Sequence, residues 1–381
     1  MKINITHNKL TKSLLLASAT LALSLSSAHA ANYSSPDNGT QNYTNITDLS
    51  GGTISIGSSS FLTFKDSSLS TFNVTVLPSG GGELILNNTS LHLSDFNNVY
   101  TAHLKVTNNS SFNVVSGLNL NTGSLSISDS TFYAPNVKTY DFYMTNASTT
   151  FRGDISNMNL NSGATWNALE GSTVNYLYVN DNASLNMLGS LTVNTLTVRN
   201  NATVNATSDL TFTNLYVGNN ATVITQDGKI IDYADLSNNS TLKVMNSIYF
   251  QNLYLSDSTI NLVLNSPYSI PFFASELYTS GNNVIKYDFT DAFIEEIMND
   301  YNEEYPYTFS VTYAFIVGTT EGDGTWAYDI ASSSDSYTWT VTHIGGGFYR
   351  FSDITLIPEP STYALIFGAM ALGLAIYRRR K

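Results

Sequence analysis

Three aspartates near the middle of the chain are the residues best suited to chemistry. Asp227, Asp232 and Asp235 fall within nine consecutive residues, in an irregular stretch of the sequence. Carboxylates grouped in this way can bind calcium or supply the acid and the base of a glycoside-cleaving reaction. The same residues also fit turns and solvent-facing strand positions, which is the simpler interpretation of them.

Histidine and cysteine add nothing to this group. His92, His103 and His343 are isolated, with no neighbouring residues at a spacing that indicates catalysis or a metal site. Cysteine is absent, so the chain has no thiol nucleophile and no disulfide. The sequence therefore predicts no catalytic residues, no metal and no cofactor. It favours a protein that is not an enzyme, with a polysaccharide lyase or glycoside hydrolase as the alternative.

Tyrosines at regular spacing indicate a binding surface instead. Tyr178, Tyr216 and Tyr254 are 38 residues apart, and each stands between two apolar residues. The middle residue of such a triplet faces outward when the triplet is a strand. Aromatic rings along a flat sheet can stack on sugar rings, so these tyrosines are a candidate sugar-stacking face. The alternative is that tyrosine simply fits a half-buried pleated surface.

The elements that position these tyrosines are repeats of 19 residues. Leu177-Tyr178-Val179, Leu196-Thr197-Val198 and Leu215-Tyr216-Val217 recur at that step. Alternation with period two favours strands over helices, and positions that recur once per repeat predict side chains stacked along one axis. The predicted fold is all-β: a parallel β-helix, or β-solenoid, with coils of about 19 residues and about three short strands per coil.

The repeat also predicts which side chains fill the core. One internal ladder comprises Leu177, Leu196, Leu215, Ala234 and Leu253, and a second comprises Val179, Val198, Val217, Leu236 and Leu255. Asparagine pairs such as Asn200-Asn201 and Asn219-Asn220 stand at the turns, because asparagine tolerates the left-handed conformation. Their stacked side chains are expected to hydrogen-bond from coil to coil.

The repeats do not fill the whole chain. They extend over residues 51–266, preceded by a polar linker or N-terminal cap at 31–50. Residues 267–356 lack the period and contain one helical pattern, from Asp291 to about Tyr301, followed by strand-like runs. This segment is predicted to be a small C-terminal cap of mixed structure, with a separate small domain as the alternative.

The N-terminus has the pattern of a signal peptide. Lys2, Lys9 and Lys12 precede an apolar run at 14–25, and Ala28-His29-Ala30 then provides a small-x-small cleavage site. Residues 1–30 are therefore predicted to be removed after Ala30 on export through the inner membrane. Ala28 and Ala30 are the residues that define the cleavage site.

The C-terminus combines three features within residues 357–381. Pro358-Glu359-Pro360 is followed by an apolar run at 363–377 and then by a basic end. The apolar run predicts a short transmembrane helix, held on the cytoplasmic side by the basic residues. Those basic residues are Arg378, Arg379, Arg380 and Lys381.

This tripartite tail resembles the PEP-CTERM sorting signal of Gram-negative bacteria. The resemblance covers only the tail, and within it the motif, the apolar run, the basic cluster and the terminal position all agree. It implies that an integral-membrane transpeptidase, exosortase, recognises Pro358, Glu359 and Pro360. It also implies a membrane-anchored stage during sorting, a final place at the cell surface or in the extracellular matrix, and association with exopolysaccharide.

The charge of the chain argues against nucleic acid as a partner. Residues 31–357 contain nine basic and 28 acidic residues. Binding to phosphates requires lysine and arginine, so an acidic body of this kind is not expected to bind nucleic acid.

Together these features predict an exported, surface-sorted structural or adhesive protein of the cell envelope or the exopolysaccharide matrix. The first alternative is the polysaccharide-degrading enzyme on a β-helix fold. The second is an ice-binding solenoid, which requires regular outward threonines over several coils. The outward positions here mix tyrosine, threonine and aspartate, which disfavours ice binding.

Overall fold

The computed structural model describes fifteen stretches of the chain, and the statements below concern these residues. They are 31–35, 37–48, 52–57, 59–76, 81–96, 103–114, 119–205, 210–225, 230–245, 247–267, 272–299, 308–310, 315–332, 337–345 and 348–356. They divide into two compact units. Unit 1 extends to Leu125 and includes Asp129–Pro135; unit 2 comprises Ser126–Ser128 and the chain from Asn136 onward.

Unit 1 is a parallel solenoid in which two sets of strands stack coil upon coil. Strands β1, β4, β6, β8, β10 and β12 pair in parallel in that order, and β2, β5, β7 and β9 form a second parallel series. The strands are β1 (Ala31–Ser34), β2 (Thr40–Thr44), β3 (Thr47–Asp48), β4 (Gly52–Ile56), β5 (Phe61–Lys65), β6 (Ser68–Val76), β7 (Glu83–Asn87), β8 (Ser90–Phe96), β9 (His103–Thr107), β10 (Ser111–Val114), β11 (Asn119–Ser128) and β12 (Thr131–Tyr133). Thus β1 and β2 are already coil strands, within the segment that the sequence predicts as a linker or cap.

Unit 2 repeats the same plan with a more regular step. A series of longer strands, β13, β14, β16, β18, β20, β22, β24, β26 and β29, pairs in parallel, as does a series of mostly shorter ones, β15, β17, β19, β21, β23, β25, β27 and β30. The strands are β13 (Asn136–Thr145), β14 (Ser148–Asn161), β15 (Thr165–Ala168), β16 (Ser172–Val179), β17 (Ser184–Met187), β18 (Leu191–Val198), β19 (Thr203–Asn205), β20 (Leu210–Val217), β21 (Thr222–Thr225), β22 (Ile230–Ser237), β23 (Thr241–Val244), β24 (Ile248–Ser256), β25 (Thr259–Leu264), β26 (Phe272–Ser280), β27 (Asn282–Phe289), β28 (Thr308–Ser310), β29 (Phe315–Gly322), β30 (Thr325–Ser332), β31 (Tyr337–Gly345) and β32 (Phe348–Leu356).

Each longer strand of unit 2 bends once, which gives a coil three short faces. The pairing of β16 with β18 skips Asn194, and neither Asn194 nor Thr195 is buried, whereas Val193 and Leu196 are. At the bend Asn194 Nδ2 donates to Asn175 Oδ1 of the preceding coil at 3.1 Å. Each of these coils therefore has two strands, such as β17 and β18, instead of the predicted three, and the bend divides the longer strand.

Both predicted ladders form the core of unit 2. Leu177, Leu196 and Leu215 are consecutive register partners with no exposed surface, and Ala234 and Leu253 continue the column. The valine column behaves in the same way, since Val179 pairs with Val198 and Val198 with Val217. The parallel solenoid is thus the fold that the 19-residue repeat predicts.

The asparagine turns also form as predicted. Asn200, Asn201, Asn219 and Asn220 all have positive φ, between 55° and 60°. Asn219 Nδ2 donates to Asn200 Oδ1 at 2.9 Å, and Asn200 Nδ2 donates to Asp181 Oδ1 at 2.8 Å. The side chains therefore compensate part of the cost of the left-handed backbone.

The parallel ladders continue past residue 266, where the sequence predicts the end of the repeats. Leu253 pairs with Leu277, a step of 24 residues, and Leu277 pairs with Thr320, a step of 43. The longer steps accommodate insertions between coils, and these insertions hide the period in the sequence. The mixed cap is therefore smaller than predicted.

Two elements outside the coils account for the mixed character of this region. Helix α1 (Asp291–Asn299) buries Phe293, Ile294 and Ile297, whereas Met298 on the same helix is 42% exposed. Strand β32 pairs antiparallel with β28 and β31 in a three-stranded sheet.

The fold prediction was wrong in including a C-terminal transmembrane helix. In the described stretches no helix is long and apolar enough to cross a membrane. The nine residues of α1 extend about 14 Å at 1.5 Å per residue, less than half of a hydrocarbon core of about 30 Å. The predicted span at 363–377 lies outside the described residues.

Candidate functional site

The predicted tyrosine face lies on the outer surface of the longer-strand sheet of unit 2. Tyr178, Thr197, Tyr216, Asp235 and Tyr254 are consecutive register partners, and each stands between two buried ladder residues. The three predicted tyrosines therefore share one outward column, two coils apart.

Two further tyrosines join them. Tyr233, two residues before Asp235, contacts both Tyr216 and Tyr254, with ring centroids 5.4 Å and 5.1 Å away. Tyr278 stacks on Tyr254 at 4.4 Å with an interplanar angle of 8°. We call Tyr216, Tyr233, Tyr254 and Tyr278 the tyrosine cluster.

The stacking direction decides which parts of the rings are accessible. Tyr254 and Tyr278 are register partners on neighbouring coils, so their nearly parallel rings face each other along the solenoid axis. Tyr278 is the last tyrosine of this stack. Beyond Tyr278 the next register partner is Glu321, so the second face of Tyr278 is turned towards a carboxylate.

A groove of about 560 Å³ lies beside these tyrosines. Tyr254 and Tyr278 contribute to one wall. The other contains Ser237, Ser256 and Ser280, which are themselves consecutive register partners. One wall is thus aromatic and the other carries hydroxyl groups.

Carboxylates stand at both ends of the groove. Asp235 and Glu321 both line it, and the column from one to the other passes through Tyr254 and Tyr278. Three steps at the parallel-strand spacing of about 4.8 Å make this distance roughly 14 Å along the backbone. The groove is therefore long enough for an extended ligand.

The electrostatics of the cluster follow from partial burial and neighbouring acids. Burial raises the pKa of Asp235, and Arg199 opposes that shift. Burial, then the charge of Asp235, raises the pKa of Tyr233. The hydroxyl of Tyr278 donates to Glu276 Oε2 at 2.9 Å, and this bond is the main cause that raises the pKa of Tyr278 to about 12.

We expect Tyr278 to retain its proton well above the usual range of tyrosine. Its pKa is raised, so its contribution to stability is complete below about pH 10, where an unfolded tyrosine ionises. That contribution is lost as the pH rises to about 12. Carbon-13 NMR of labelled tyrosine rings measures the midpoint directly. Glu276→Gln should lower it, whereas the control Glu296→Gln on helix α1 should not. An unchanged midpoint in Glu276→Gln would contradict the assignment.

Of the two predicted aspartates that the structure describes, one lines the groove. Asp235 lines the groove, Asp232 is exposed and is not part of its lining, and Asp227 lies outside the described residues. The positive charge of Arg199 lowers the pKa of Asp235 and so opposes the effect of burial.

The two histidines that the structure describes, His92 and His103, do not line the groove. His92 is half-buried on β8, whereas His103 is exposed on β9 and hydrogen-bonds Ser124 Oγ through Nδ1 at 2.9 Å. The side chain of His343 lies outside the described residues. Within the parts of the chain that the structure describes, no group of three or more histidine, cysteine or acidic side chains is placed to hold a metal ion.

The predicted sorting residues cannot be placed in the same way. The cleavage residues Ala28 and Ala30, the motif Pro358-Glu359-Pro360 and the basic end, Arg378, Arg379, Arg380 and Lys381, all lie outside the described residues.

Sequence reasoning found part of the cluster and missed the rest. Tyr233 stands in the neighbouring outward column, and the signal available in the sequence was Tyr176, three coils earlier in that column. Tyr278 follows the 24-residue step and so lies outside the period. Glu321 is 43 residues beyond Tyr278, and no repeat connects them in the sequence.

No family model matches the chain, and no curated protein is significantly similar to it in sequence.

Proposed function

We propose that the protein is an exported structural or adhesive component of the cell surface or its matrix. In this proposal it holds extracellular polysaccharide in the groove beside the tyrosine cluster. The observation that carries the proposal is the cluster itself: four tyrosines in ring contact beside a groove with a wall of serines. Sugars present both apolar C–H surfaces and hydroxyl groups, so a groove with one aromatic and one hydroxyl wall matches their chemistry.

The location in this proposal rests on the two ends of the sequence. The N-terminal pattern up to Ala30 supports export through the inner membrane. The resemblance of the tail to PEP-CTERM signals supports recognition of Pro358-Glu359-Pro360 by an exosortase of a Gram-negative bacterium.

A β-solenoid is compatible with a structural or adhesive repeat protein and also with a β-helix enzyme. The spacing of the two carboxylates that line the groove favours binding. Asp235 and Glu321 are separated by three register steps, roughly 14 Å along the backbone. The two carboxyl groups of glycoside hydrolases are generally about 5 to 9.5 Å apart. The backbones of this pair are farther apart than that, and Tyr254 and Tyr278 stand between the two residues in the column.

The first test mixes the purified full-length protein with the exopolysaccharide of the producing strain. Light scattering follows the molar mass of the polymer with time. We expect a constant or rising mass, because the protein binds or cross-links the polymer. A falling mass would instead identify a polysaccharide-degrading enzyme and overturn this proposal.

The second test removes a ring from the groove. Tyr254→Ala should weaken polysaccharide binding about tenfold, since it deletes one of the two rings in the aromatic wall and disturbs the stacking of Tyr278. Tyr140→Ala is the matched control, because Tyr140 is 64% exposed on β13 and lies outside the cluster. Equal affinities for both variants and for the unmodified protein would exclude the cluster as the binding surface.

A further inference from the structure

The two ends of the groove differ in the number of carboxylates that stand there. At one end stands Asp235, whose pKa is raised by burial and lowered by the charge of Arg199. At the other end stands Glu321, with Glu276 nearby through its hydrogen bond to Tyr278. In the described part of the chain, neither Glu276 nor Glu321 has a lysine or arginine within ion-pair distance. The Glu321 end is therefore the negative end.

The last ring of the tyrosine stack lies at the same end and lines the groove. Tyr254 covers one face of the Tyr278 ring at 4.4 Å, and the other face is turned towards Glu321. The negative face of an aromatic ring attracts a cation placed over it. An ammonium group here would meet the ring of Tyr278 and the carboxylate of Glu321 at once, and charge-assisted hydrogen bonds of that kind are the strong ones.

The backbone holds Glu321 in this place. The following residue, Gly322, has a φ of +105° and lies against the carbonyl of Thr279, where an added Cβ would clash. Only glycine adopts this conformation readily, so β29 comes close enough to β26 to bring Glu321 beside Tyr278.

We propose that the Glu321 end of the groove is a subsite for the protonated amino group of an amino-sugar unit. This inference rests on the proposed binding of polysaccharide and specifies the class of polysaccharide. The ring of the sugar lies along the aromatic and serine walls, and its ammonium group lies between Tyr278 and Glu321. A uronic acid in the same position would place a carboxylate against Glu321, and like charges repel.

The experiment compares ligands that differ in charge and little else. Calorimetry measures the affinity of the full-length protein for a glucosamine oligosaccharide, its fully N-acetylated form and a uronic-acid oligosaccharide of equal length. The measurements are made at about pH 6, where the amino groups are protonated, in low and in high salt. We expect the glucosamine oligosaccharide to bind at least tenfold more tightly than the acetylated form in low salt. The uronic-acid oligosaccharide should bind most weakly, and high salt should reduce the differences.

Two isosteric variants assign the effect to one carboxylate. Glu321→Gln should bring the affinities for the glucosamine and acetylated oligosaccharides to within about twofold of each other. It should reduce the affinity for the glucosamine form far more than the affinity for the acetylated form. Asp323→Asn is the control, because Asp323 is exposed two residues away and is not part of the groove lining. An equal loss in both variants would show a general effect of charge and would overturn the subsite.

The remaining outcomes separate this inference from the proposed function. If the acetylated or uronic-acid oligosaccharide binds as tightly as the glucosamine form, and Tyr254→Ala weakens that binding, the subsite is wrong and polysaccharide binding stands. If none of the three binds and the strain's own polysaccharide does not bind either, both are wrong. An oligolysine peptide of equal charge that binds as tightly would show that the site recognises ammonium groups without recognising sugar.

Discussion

Val198→Asp is expected to unfold several coils of unit 2 together. Val198 has no exposed surface and stands in the core between Val179 and Val217. An unpaired buried carboxylate costs several kcal/mol, about 3–5 kcal/mol in comparable cases. Each coil depends on its neighbours for stability, so the loss spreads beyond one coil. Circular dichroism and the thermal melting curve measure it, and we expect a reduced strand signal or a much lower melting temperature.

Thr192→Asp is the matched control on the same strand. Thr192 is exposed between Thr173 and Thr211, its register partners, so the same side chain there remains in water and should change stability by less than about 1 kcal/mol. Lowering the pH should partly restore Val198→Asp, because burial raises the pKa of a carboxyl group and favours its neutral form. Melting of Val198→Asp that matches Thr192→Asp would falsify the core position of Val198.

The coils of unit 2 could be predicted because identical side chains recur at identical steps. Leu177, Leu196 and Leu215 occupy one column in the structure as they occupy one position in the repeat. A side chain that is stacked on its own copy has the same environment in every coil, so the sequence retains the same residue there. The asparagine turns were predictable for the same reason, since each left-handed pair bonds to the pair below.

The region after residue 266 could not be predicted in this way. Between Leu277 and its register partner Thr320 the chain makes helix α1 and strand β28 before it returns to the coil. Parallel pairing depends on backbone groups, which every residue except proline supplies, so a coil can continue after the repeat has vanished. A repeat in the sequence therefore reveals coils in which similar side chains stack on one another. It does not reveal coils that pair through the backbone alone.

The groove also could be predicted only in part from the sequence period. The column of outward residues that lines it contains Tyr254, which lies within the period, and continues to Tyr278 and Glu321, which lie outside the period. The negative end of the groove exists only because the later coils return to the same column. The sequence could thus indicate a tyrosine face. Only the strand register of the structure could show that Glu321 stands at the end of that face.

Tyr140→Ala also provides the reference for a second large effect on stability, the removal of Trp166. Both changes delete an aromatic side chain, but Tyr140 is 64% exposed whereas Trp166 has no exposed surface. We expect Tyr140→Ala to change the free energy of unfolding by less than about 1 kcal/mol. Trp166→Phe provides an intermediate, because it preserves a ring against Phe151 and removes the indole nitrogen.

Trp166→Ala is expected to cost about 3–5 kcal/mol, the usual range for an aromatic deleted from a core. Trp166 stacks on Phe151 with ring centroids 5.3 Å apart, and its Nε1 donates to the carbonyl of Phe151 at 3.3 Å. That carbonyl also accepts a bond from the backbone of Leu169 at 3.2 Å, so it keeps a partner in the variant. The loss is therefore mainly the cavity left beside Phe151, and Trp166→Phe should recover more than half of it. Urea unfolding followed by circular dichroism measures the three variants on one scale. A loss in Trp166→Ala no greater than that in Tyr140→Ala would mean that the first coils of unit 2 close over the cavity or do not depend on this ring.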